Sequence, residues 1–105
     1  MSKSLKILNS KILDKERLLV KLTDWKEENK KIVFTNGCFD LIHLGHIELI
    51  ARSADLGDIL IIGVNTDNSI KRLKGPNRPI VEEISRAKQL AALEFVDAIV
   101  FFDED

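Results

Sequence analysis

The 105 residues include one cysteine, one tryptophan, two prolines and no tyrosine, and the formal net charge is only −1. A single cysteine excludes an intrachain disulfide and suits a reducing compartment. So small a net charge gives nucleic acid or a membrane surface nothing to recognise by bulk electrostatics. No apolar run approaches the ~18–20 residues of a membrane span, and residues 1–20 lack the apolar centre of a signal peptide. Repeats and low-complexity tracts are missing as well. What remains, 45% hydrophobic and 31% charged, is the composition of one globular domain, expected in the cytoplasm.

Residues 1–13 mix Leu5, Ile7, Leu8, Ile12 and Leu13 with Lys and Ser, and read as a partly ordered lead-in that packs on the body. Asp14 N-caps a helix running to Asn29, with Leu18, Leu22 and Trp25 at helical spacing and Leu19 widening the stripe. Ile32 to Phe34 form an apolar strand. A helix opens at Gly45 or His46, turns Ile47, Ile50, Ala51 and Ala54 to one side, and ends with Gly57 at C′. Asp58 to Val64 is a near-continuous aliphatic run, as expected of a parallel strand covered on both faces. Residues 65–81 are the longest polar connection and hold Lys71, Arg72, Lys74, Arg78 and both prolines. A further helix runs from Glu82 to Leu93 with Ile84, Ala87, Leu90 and Ala91 inward, and Asp97 to Phe102 form the last strand. The pattern is βαβαβ, half of a doubly wound α/β sheet, preceded by an N-terminal helix in residues 1–30. Ligands of such sheets bind beyond the strand C-terminal ends. The first strand should present a bare edge.

Chemistry concentrates between the first strand and its helix, in Asp40-x-x-His43-x-Gly45-His46. A strand that feeds a helix N-terminus through a glycine-bearing turn builds an anion site, because the first helical N–H groups lack partners and the macrodipole is positive there. Gly45 leaves room for an anion to approach the backbone. Two imidazoles on such a turn can both reach one phosphate and donate N–H where charge develops in an in-line displacement. Zinc is the competing use of two histidines, but the only further ligand nearby is Cys38, across the turn, so no protein-held metal is expected. A purely structural pair, each ring capping backbone, is the other alternative. By themselves the lysines of residues 71–74 read as a solvated loop, and Arg86 as a surface ion pair with Glu82 or Glu83.

The sequence resembles the nucleotidyltransferases of the cytidylyltransferase-like superfamily, whose signature is a His-x-Gly-His loop, and within it the group that makes ADP-heptose precursors of lipopolysaccharide. Thr35 to His46 carry the likeness, with Leu56-Gly57-Asp58, Val64-Asn65-Thr66-Asp67, Lys71 to Pro76 with Arg78-Pro79, and Ala92-Leu93-Glu94-x-Val96-Asp97. The resemblance implies a three-layer Rossmann-like (HUP-type) parallel sheet in residues 31–105. It implies transfer of AMP from ATP to a sugar 1-phosphate, heptose 1-phosphate, with release of pyrophosphate, or of CMP from CTP to glycerol 3-phosphate. His43, His46 and Lys71 would be catalytic. Thr35, Asn36, Phe39, Asp40, Gly45 and Arg86 would join the histidines around the nucleotide, Lys71 and Lys74 would hold the acceptor phosphate, and Mg²⁺ would accompany the triphosphate. Members of that family continue into a fourth strand with a glycine-rich loop, a fifth strand and a last helix. Residues 31–105 would then be the domain without its final third, and such a chain could bind nucleotide without turnover and pair with a second copy through the first strand.

Overall fold

The three aliphatic runs form parallel strands β1 (Ile32–Gly37), β2 (Ile59–Asn65) and β3 (Ala98–Phe102), hydrogen-bonded in the order β1–β2–β3. The computed structural model describes residues 2–103. Among the described residues five helices accompany the strands: α1 (Lys3–Ser10), α2 (Lys15–Glu27), α3 (Leu44–Ala54), α4 (Asp67–Lys74) and α5 (Glu83–Ala91). The architecture is the expected three-layer α/β one. Leu60, Ile62 and Val64 of β2 pack with Ile50 of α3, with Ala87, Leu90 and Ala91 of α5, and with Ile99 of β3. On the opposite face Ile61 and Ala98 meet Leu13 under Leu18, Leu22 and Trp25 of α2. β2 is buried on both sides, which is why its sequence shows no alternation. Among the described residues no helix is long and apolar enough to cross a membrane.

Asp14 accepts the Arg17 N–H at 2.8 Å and starts α2 as its sequence requires. The lead-in is more ordered than its composition implies. Ser2 caps α1, Leu8 packs on the main core, and Leu13 and Lys11 clasp Ile99 through backbone bonds of 2.8 Å each. Residues 11–13 thereby cover the outer side of β3, whereas β1 has no strand beyond it among the described residues.

Four local expectations are corrected. Leu19 lies outside the α2 stripe, 58% exposed, because the face toward the sheet is filled by Leu18, Leu22 and Trp25. Ile84 is likewise 51% exposed, and the inward position on α5 is taken by Arg86. The connection after β2 contains a helix, α4, capped by Thr66 and anchored by buried Ser69 and Ile70. Its polar surface concealed the period. Gly57 is not a left-handed C′ residue: a Cβ there would lie 2.8 Å from the Lys31 carbonyl and from Val33 Cγ2, so its role is close approach of backbone to β1.

Two aspartates from the quoted motifs act at the end of the sheet opposite the histidine loop. Asp58 accepts the Lys31 N–H at 2.7 Å while its own N–H bonds the Lys31 carbonyl. Asp97 repeats the arrangement one strand later, with Leu60. Each fixes where a strand starts against its neighbour.

Candidate active site

β1 delivers the chain to its C-terminal end at Gly37, where the backbone reverses through Phe39 at φ 51°. A left-handed non-glycine residue costs about 1 kcal/mol, and burial of the Phe39 ring against Gly37 offsets it; a Cβ at residue 37 would meet that ring at 3.1 Å.

Helix α3 then opens with a capping box made of two imidazoles. His43 is the N-cap, and its Nδ1 accepts the Gly45 N–H at 3.0 Å; His46 Nδ1 accepts the His43 N–H at 3.3 Å. A nitrogen that accepts carries no proton, so both rings hold theirs on Nε2, on the far side from the backbone they cap. The ring centroids are 4.0 Å apart at a tilt of 33°, and His46 meets Phe39 edge-on at 5.8 Å. Gly45 serves this cap, since a Cβ would stand 2.9 Å from His43 Cε1. The space read from the sequence as an anion's approach is occupied by the His43 ring. Burial, then His43 and Lys74, lower the pKa of His46 and keep it neutral at neutral pH.

Asp40 is turned into the protein. Oδ1 accepts the Ile80 and Val81 N–H groups at 2.8 and 2.9 Å, and Oδ2 meets Arg78 Nη1 at 3.0 Å. Burial alone would raise this carboxyl; the Val81 and Ile80 N–H groups and the Arg78 guanidinium outweigh it and hold the pKa below the ordinary value. Its oxygens clasp the segment before α5 to the histidine loop.

Arg86 departs from the surface-pair alternative. It is fully buried and makes no surface pair with Glu82 or Glu83. Nη1 donates to the carbonyls of Cys38 (2.6 Å) and Asn65 (2.7 Å), Nε to the Val81 carbonyl (2.9 Å), and Nη2 to Asp67 Oδ1 (2.6 Å). Glu83 instead accepts the Asp67 N–H at 2.9 Å, and Asn65 donates to Ser69 at 2.8 Å. Cys38 sits beside them, its thiol 3.7 Å from Asn65 Oδ1.

Thr35 and Asn36 stay in β1, opposite Ile62 and Gly63, with Asn36 exposed. Lys71 and Lys74 stand exposed on the last turn of α4, and the charge of Lys74 reaches His46. The structure thus brings together His43, His46, Phe39 and Lys74, and turns Asp40 and Arg86 into the frame behind them. Asp67 and Val81 were missed by sequence reasoning; a lone carboxylate and a valine in a polar stretch carry no local signal of a buried guanidinium. A groove of about 500 Å³ between α1 and α5, lined by Ile7, Leu8, Lys11 and Ala91, holds none of these groups. Chemistry locates the site, not concavity. Among the described residues no set of three His, Cys, Asp or Glu could hold a metal ion.

Comparison with known proteins shows what the chain is similar to. The bifunctional protein HldE of Campylobacter jejuni is 58% identical over 95 residues, which are 90% of this chain and 20% of that protein. HldE of Methylobacillus flagellatus is 48% identical over the same shares, and HldE of Koribacter versatilis 44% identical over 98% of this chain and 21% of its own. The chain spans about a fifth of the length of these relatives. The crystal structure of the lipopolysaccharide core biosynthesis protein from Thermoplasma volcanium GSS1 superposes with a TM-score of 0.62 at 37% identity, over 70% of this chain and 58% of that one. The cytidylyltransferase-like family model matches residues 34–105. That match takes in everything from the middle of β1 onward, histidines, clasped loop and buried arginine together, and the chain belongs to the cytidylyltransferase-like family.

Proposed function

We propose that this domain transfers a nucleoside monophosphate from a nucleoside triphosphate to a sugar 1-phosphate, AMP to heptose 1-phosphate, with release of pyrophosphate. The observation that carries the reading is the histidine capping box, which commits two Nε2–H donors at the start of α3 with the Lys74 cation beside them. An acceptor phosphate oxygen attacks the α-phosphorus in line; a new P–O bond forms, the bond to the bridging oxygen breaks, and pyrophosphate leaves with the electron pair. The acceptor is already anionic at neutral pH, so no general base is required. Positioning and stabilisation of developing charge suffice, and two N–H donors with a lysine supply them. Lys74 and Lys71, on the last turn of α4, hold phosphate oxygens in this scheme. Mg²⁺ enters with the triphosphate as part of the substrate, bound through its phosphate oxygens and water. The similarity to HldE and to a lipopolysaccharide core biosynthesis protein supports a sugar of lipopolysaccharide as the acceptor. Substrates of this kind support a cytoplasmic reaction.

The test is pyrophosphate release by the longest natural form of the protein, with ATP or CTP and with heptose 1-phosphate or glycerol 3-phosphate. Turnover is expected with ATP and the sugar phosphate, and His46→Ala should lower kcat by about 10²–10³-fold. Faster turnover with CTP would reassign the base, and equal rates for the wild type and His46→Ala would remove the histidine from the mechanism.

A further inference from the structure

We propose that Arg86 is a positioning residue that sets the separation between the histidine pair on α3 and the lysine-bearing end of α4. A planar guanidinium offers donors in fixed directions, and a fully buried one must have them met. Here each acceptor belongs to a different segment around the site: Cys38 in the loop leading to His43, Asn65 at the end of β2, Asp67 in the first turn of α4, and Val81 before α5. Val81 is gripped twice, its carbonyl by Arg86 and its N–H by Asp40, so Arg86, Cys38, Asp40 and Val81 close a ring. The ring fixes the histidine loop, and the Asp67 bond fixes α4 to that ring.

The lever is short but sufficient. From Asp67 to Lys74 α4 is ~10 Å long, so a tilt of ~10° at its start moves the Lys74 end by ~2 Å. A misplacement of that size costs on the order of 10²-fold in a reaction that depends on geometry. Glu83, accepting the Asp67 N–H, and Arg72, paired with Asp103, also hold α4. Loss of the Arg86 fork therefore loosens the helix without freeing it. The kinetic consequence rests on the nucleotidyl-transfer reading; the coupling itself does not.

The test follows His46 by NMR titration of the ligand-free protein. Lys74 and His43 are the charged or titratable groups that act on this ring. Lys74→Met should raise the His46 midpoint in the wild type. In Arg86→Lys, which keeps the charge but not the fork, and in Asp67→Asn, the same Lys74→Met change should have a much smaller effect. A merely stabilising Arg86 would lower the melting temperature and leave the effect of Lys74→Met intact in the folded variant; that result overturns the proposal. Should Arg86→Lys not fold, the Asp67→Asn pair decides alone. Pyrophosphate release is measured alongside, with kcat expected to fall by on the order of 10²-fold in Arg86→Lys. A wild type that turns over no nucleotide sinks the proposed reaction while the titration still decides the coupling.

Discussion

Replacing Asp40 separates a clasp from a ligand. The carboxylate is 6% exposed and takes two backbone N–H groups on Oδ1, with Arg78 on Oδ2. Arg78 is 42% exposed on its side chain, so solvent screens that pair and it adds little. The two N–H bonds carry most of the effect, each worth about 1.5–3 kcal/mol to a charged acceptor and about 1 kcal/mol to a neutral one. Asp40→Asn keeps an oxygen for the N–H groups and loses only the charge, which gives a destabilisation of about 2 kcal/mol. Asp40→Ala strands both donors and should cost about 4 kcal/mol, a large part of a typical domain's total. The assay is urea unfolding at neutral pH, in which Asn should fall between Asp and Ala. The pH dependence has a definite sign. The folded pKa lies below the unfolded value, so the contribution is complete above about pH 4 and fades as pH falls through the folded pKa. The gap between the wild type and Asp40→Asn should therefore close in acid. Equal stability of all three proteins at neutral pH, or a gap that widens in acid, would refute the clasp.

Two further outcomes are expected. Nitrogen chemical shifts of the neutral imidazoles should report the Nε2–H tautomer for both His43 and His46; an Nδ1–H tautomer at either would dismantle the capping box. Gly57→Ala should lower stability by about 1–3 kcal/mol, because its Cβ meets backbone at Lys31, yet leave triphosphate affinity measured by calorimetry unchanged. Lost affinity in a folded Gly57→Ala would show that the far end of the sheet reaches the site.

Much of the fold was legible because its signals are local. Asp14 announces α2, the unbroken aliphatic run announces a central strand, and a glycine-bearing turn with two histidines announces a helix start next to β1. α4 escaped notice because only Ser69 and Ile70 are buried on it, too few to show a helical period among its cations. Leu19 and Ile84 misled for the opposite reason: an apolar residue at permissible spacing is inward only if another element covers it.

By itself the sequence determined the strands, most of the helices and the position of the histidine turn, since propensity, capping and periodicity act over a few residues. Only the tertiary structure decided what Asp40 and Arg86 do. Their partners lie as far as 41 and 48 residues away in the chain, and a buried charge takes its role from whichever donors or acceptors the packed fold brings to it.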